Sequence, residues 1–175
     1  MVFLTTACEE PFGVVDWTDD PVHVTLYSAS REAYVGRPSV FDLASLPPRA
    51  LPVEGEVGAF AWDFVLIDYQ GGLALAPAST VDGIESRAGI ATMSGSAFDK
   101  VVRAPGDSAA YSRQPVKLQT GVVYVLRSRP TTCTITTGVI YAKIEPVQLD
   151  VANGIFEFKY VDNPNCGDRS LVPED

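Results

Sequence analysis

Histidine is almost missing from this chain: His23 is the only one in 175 residues. Together with three cysteines it is the whole stock of Cys and His ligands, and the four are scattered, whereas zinc sites of that type gather four at short spacing. A hydrolytic triad would have to use His23, yet no Gly-x-Ser-x-Gly turn occurs, and Ser94-Gly95-Ser96 is flanked by Met93 and Ala97. Positive charge is scarce as well. Thirteen Lys and Arg stand against 22 Asp and Glu, a net charge of −9. Nucleic-acid binders neutralise phosphates with a basic face, so nucleic acid is excluded as a partner. The Walker pattern is absent, and Gly71-Gly72, Gly83, Gly89 and Gly95 lack phosphate-binding spacing. No stretch of 18 apolar residues is found, so membrane attachment would need a lipid or a partner.

What is present is 46% apolar residues, enough for one domain with a sizeable core. The first 21 residues read as a separate segment. Small residues run into Cys8 and are followed at once by Glu9, Glu10 and Pro11, which looks like the tail of a bacterial lipoprotein signal. Thr5 stands where that signal usually has an aliphatic residue, with Leu4 one position further out. On this reading Cys8 carries a lipid anchor; the alternative is a free Cys in a frayed terminus. An acidic leader follows, with Asp16, Asp19 and Asp20 around Trp17. Trp is enriched in binding hot spots, so these four residues are candidate partner contacts, against packing of Trp17 on its own domain.

Residues 22 to 175 are expected to form one all-β domain: a two-sheet antiparallel sandwich with a long irregular middle and little helix. Val22 to Tyr27 alternates apolar and polar residues, as do the runs on either side of Asn153-Gly154. Asn-Gly tolerates the positive φ angles of a type I′ turn, so a hairpin is expected there, with Phe156, Phe158 and Tyr160 on one face. Residues 59 to 67 read as the most apolar strand, with Trp62 in the core and Leu73 to Ala76 as the return. Further strands are expected at 121–127 and 139–144. From Ser79 to Gln119 the pattern is weak, with a helical turn or two at 97–103.

Setting Cys8 aside leaves Cys133 and Cys166, 33 positions apart and in no Cys-x-x-Cys pattern. An even pair suits a disulfide of an exported domain, the alternative being two buried free thiols. Asp63 and Asp68 flank an apolar strand and could in principle form an acid–base pair. Asp162, Asn163, Asn165 and Asp168 offer hard oxygen ligands for calcium, but follow no EF-hand and read better as a series of Asx turns.

Phe41-Asp42-Leu43, then Trp62-Asp63-Phe64-Val65-Leu66 and Gly71-Gly72, are similar to a stretch of HmuY-type lipoproteins. The later order of Val123 to Arg127, Tyr141 to Ile144 and Gly154 to Tyr160 resembles the C-terminal half of that family. The likeness covers about residues 22 to 162 and rests on the order of short motifs. It implies an exported, lipid-anchored, all-β protein without enzymatic activity. Its best-known members hold haem between two His side chains, which a chain with His23 alone does not reproduce. Met93 and Tyr side chains are the remaining iron ligands, with nothing in the sequence to position them. The expectation is therefore a non-enzymatic periplasmic or cell-surface domain, without a cofactor, docked on a membrane protein complex such as a respiratory or photosynthetic one. The alternative is a haem or small-ligand carrier.

Overall fold

In the computed structural model, residues 15–53, 62–81, 84–133 and 137–173 are described. They contain twelve strands: β1 (Val22–Tyr27), β2 (Val40–Asp42), β3 (Arg49–Leu51), β4 (Phe64–Tyr69), β5 (Gly72–Pro77), β6 (Gly89–Met93), β7 (Val116–Lys117), β8 (Val123–Arg127), β9 (Thr131–Thr132), β10 (Thr137–Gly138), β11 (Tyr141–Asp150) and β12 (Ile155–Asn163). Among the described residues helix is limited to four three-residue 3-10 turns, one of them at Phe98–Lys100 where a helical turn is expected. One sheet has the order β1-β12-β11-β8-β6, the other β3-β2-β4-β5-β7, and β9 and β10 pair alone. All pairings are antiparallel.

Strand alternation builds the sandwich. Leu26, Tyr124, Leu126, Ala142, Ile144, Phe156, Phe158 and Tyr160 of the first sheet share a core with Phe41, Phe64, Leu66, Leu73 and Leu75 of the second. Phe41 bridges them with its ring 5.4 Å, edge on, from both Phe158 and Tyr160. Such edge-to-face pairs add about 1 kcal/mol each beyond the area they bury.

Both outer faces are covered too. Val123, Val125 and Ala91 turn away from the core and pack beneath Val101, Ala104, Tyr111 and Leu171. Val40, Val65 and Ala76 pack against Trp62 and Ala78. Trp62 is thus buried as expected, though on the outer face of its sheet. The middle of the chain is less irregular than its composition suggests. It supplies two unexpected strands, β6 and β7, as well as the cover over the first sheet. Small residues (Gly89, Ala91) let β6 lie buried under that cover, which erases the apolar–polar alternation.

The last hairpin is observed, with two corrections. Its turn is a four-residue loop between Asp150 and Ile155, and only Gly154, at φ 70°, is left-handed. The Asp150 carboxylate accepts from the Asn153 backbone at 3.0 Å and from its amide at 2.7 Å, which removes the need for a type I′ turn. Second, β11 is one strand running from Tyr141 through Pro146, not two. A bulge at Val147 absorbs the break. Pro146 is tolerated because β8 pairs only with Tyr141 to Ile144, so no neighbour needs its missing N–H.

Candidate functional site

Cys8 lies outside the described residues. The leader is described from Val15 onward, and Val15 lies beside the loop that follows β12. The Val15 N–H donates to Asn165 Oδ1 at 2.7 Å, and the Asn165 amide donates back to the Val15 carbonyl at 2.9 Å. The side chain of Asn165 thereby acts as a strand neighbour would. Asp16, Asp19 and Asp20 are exposed and Trp17 is half-buried. The four residues expected to contact a partner therefore lie on one short stretch, held at its start by Asn165.

That stretch also feels its own domain. Lys143, on the outer face of β11, is fully buried. Its ammonium donates to the Val101 carbonyl at 3.3 Å and lies 4.8 Å from the centre of the Phe98 ring. Lys159 approaches the same ring at 4.5 Å and pairs with Glu145 at 2.8 Å. Burial lowers the pKa of Lys143, while the charges of Asp19 and Asp99 raise it.

Cys133 and Cys166 form a disulfide, their Cα atoms 6.1 Å apart. It joins the strand pair β9–β10 to the loop after β12, beside the Asn165 that holds the leader. The oxygens of that loop are used within it. Asn163 donates to Asp168 Oδ2 at 2.8 Å and to the Ser170 carbonyl at 3.0 Å. Its Oδ1 accepts from the Asn165 N–H at 2.9 Å, and Asp168 Oδ1 accepts from the Ser170 N–H at 3.0 Å. These are the Asx turns the composition suggests. Among the described residues no three His, Cys, Asp or Glu side chains are grouped to hold a metal ion. Asp162, half-buried at the same end, has its pKa pushed up to about 6 by burial.

Asp63 and Asp68 are brought no closer together. They sit at opposite ends of β4, five residues or roughly 16 Å of strand apart, beyond the roughly 5–9.5 Å separating paired glycosidase carboxylates. Each has another partner. Asp63, wholly buried, accepts from the Arg129 N–H at 2.6 Å and the Ala44 N–H at 2.9 Å, and the Arg129 guanidinium lies 3.1 Å away. The guanidinium also reaches Asp42 at 3.0 Å. Burial raises the Asp63 pKa, and Arg129 opposes it. Asp68 receives two bonds from Arg31, at 2.9 and 3.1 Å, and these hold its pKa down. Arg31 donates as well to the carbonyls of Ala152 at 2.6 Å and Val151 at 2.8 Å. A shallow cleft of about 400 Å³ lies beside this pair, lined by Tyr69, Gln70 and Gly72, and its one arginine already donates four bonds within the fold.

His23 is exposed, its ring 3.2 Å from Glu157 on the neighbouring strand. Met93 packs, half-buried, under the outer cover of the first sheet. The reading of the sequence missed Arg129 and Arg31. Both are loop residues without local pattern, and an intersheet partner cannot be found from spacing. The chain is an antiparallel β-sandwich stapled by one disulfide, and no helix among its described residues is long and apolar enough to cross a membrane. No protein-family model matches it, and no curated protein matches it.

Proposed function

We propose that this chain is an exported, lipid-anchored β-domain that acts without catalysis as an interaction or accessory subunit on a membrane protein complex of the cell envelope. The observation that carries this reading is the Cys133–Cys166 disulfide, because such bonds form and persist in oxidising compartments. The resemblance of the motif order to HmuY-type lipoproteins supports the same compartment, and the lipobox-like run into Cys8 supports the anchor. The buried charges support a non-catalytic role: each is engaged by the fold's own groups instead of facing an open cleft. The exposed Asp16, Asp19 and Asp20 beside Trp17 suit a basic partner patch, with encounter faster at low salt.

Intact-mass measurement of protein purified from its native membrane tests the anchor. A diacylglycerol-bearing mass starting at Cys8 is expected, and an unmodified chain starting at Met1 would overturn it. Native co-purification tests the role: a stable membrane complex is expected, and a monomer that leaves the membrane with a salt wash removes the proposal.

A further inference from the structure

Four strands form the edges of the two sheets among the described residues, and three of them offer little to a newcomer. Ile90 of β6 exchanges both backbone bonds with Ser112, at 3.0 and 2.8 Å, so that edge is covered. β3 is three residues long between Pro48 and Pro52, and β7 is two residues long after Pro115. Shortness and proline are the usual means of blunting an edge. β1 differs. It is six residues long, contains no Pro or Lys, and pairs with β12 without a bulge.

The direction of its backbone groups follows from two bonds. The Ser28 N–H points to the Gly154 carbonyl, on the β12 side, and the Tyr27 N–H points the other way, to the Pro38 carbonyl. Alternation in an antiparallel ladder then turns the N–H and C=O of Val22, Val24 and Leu26 toward β12. Those of His23 and Thr25 turn to the open side. No described residue bonds to them there. The charge at the start of this edge is negative, with exposed Asp16, Asp19 and Asp20 just before β1, while Arg37 lies at its far end, 5.6 Å from the Tyr27 ring. Lys159, across from His23, is already taken by Glu145.

We infer that the free edge of β1 is the docking site, and that it receives an extended, Lys- or Arg-bearing segment of a partner protein as a sixth strand of the sheet. Backbone bonds to His23 and Thr25 supply the pairing, and the three carboxylates select a basic segment. This rests on the reading of the chain as a docking module and names the surface that docks.

The test uses the full chain and a short blocked peptide of alternating Lys and Val, with a Glu-Val peptide as control, followed by amide NMR. The Lys-Val peptide is expected to shift the His23 and Thr25 amides and slow their hydrogen exchange, and to bind more weakly as salt rises. Thr25→Lys adds a like charge at the edge, and Thr25→Pro removes an outward N–H without taking a ladder bond. Each should weaken binding about tenfold or more. Unchanged thermal unfolding of either variant separates lost binding from lost fold. No binding, equal binding of the Glu-Val peptide, shifts mapping elsewhere, or full binding by a folded Thr25→Lys protein each overturns the inference. A dimer of the free chain that Thr25→Lys dissociates overturns the basic partner in favour of a second copy. Failure of native co-purification removes the docking reading alone, and peptide failure removes this edge alone.

Discussion

Each end of the sandwich is closed by an arginine that ties the two sheets together, and the two closures are built oppositely. At one end Arg129, just beyond β8, reaches Asp42 and Asp63 of the other sheet, both fully buried. At the other, Arg31 joins Asp68 of β4 to the carbonyls of the β11–β12 loop, and its partner Asp68 is exposed to solvent. Coulomb attraction is similar in kind at both ends, but water decides its weight. A buried charge left without its partner is strongly destabilising, whereas an exposed pair is screened and contributes little. The ends also titrate with opposite sign.

The sharpest break is Arg129→Met, which takes the guanidinium from buried Asp63 and leaves buried Asp42 with Arg49 alone, 3.5 Å away. A loss of about 3–5 kcal/mol is expected from urea unfolding, and adding Asp42→Asn should restore part of it. A small loss for Arg129→Met would mean that packing, not charge, closes that end. Next comes Cys133→Ser at the same end. A closed loop of this size is worth about 3–4 kcal/mol through the unfolded chain, read as a lower denaturant midpoint with an unchanged slope. Hydrogen exchange in the β9–β10 segment and the loop after β12 should rise with it.

Asp162→Asn probes the sign of the pH dependence. Its folded-state pKa is raised from 3.8 to about 6, so the folded chain holds a proton that the unfolded chain has released. That contribution is fully present below about pH 4 and is lost as pH rises through 6. Asp162→Asn should flatten this slope and gain up to about 2–3 kcal/mol at neutral pH, measured by thermal unfolding across pH. The smallest effect is expected from Arg31→Ala. Arg31 depresses the Asp68 pKa, so their mutual stabilisation is present above the ordinary carboxylate range and is lost as pH falls. Arg31→Ala should lower the melting temperature slightly at neutral pH, and by less in high salt or once Asp68 is protonated, when only its bonds to the Val151 and Ala152 carbonyls are lost. A loss as large as that of Arg129→Met would end the contrast between the two closures.

Elements with one clean face are the ones legible in the sequence. β1 matches its expected bounds, and Phe156, Phe158 and Tyr160 share the core face as their alternation requires. β6 was not legible because both its faces are buried, and β11 read as two strands because a bulge hides its continuity. The candidate site follows the same rule. Cys133 and Cys166 could be paired by counting, and Trp17 stood out in a polar leader. Asn165, which holds that leader, is unremarkable in sequence, since its partner Val15 is 150 positions away.

Scarcity of His and of basic residues, strand periodicity and cysteine parity were decided by the sequence alone, because each is a property of composition or of near neighbours. Which carboxylates are buried with an arginine, which edge is left open and how the leader lies were decided by tertiary structure. Those depend on contacts between residues far apart in the chain, and on the removal of water that gives such contacts their energy.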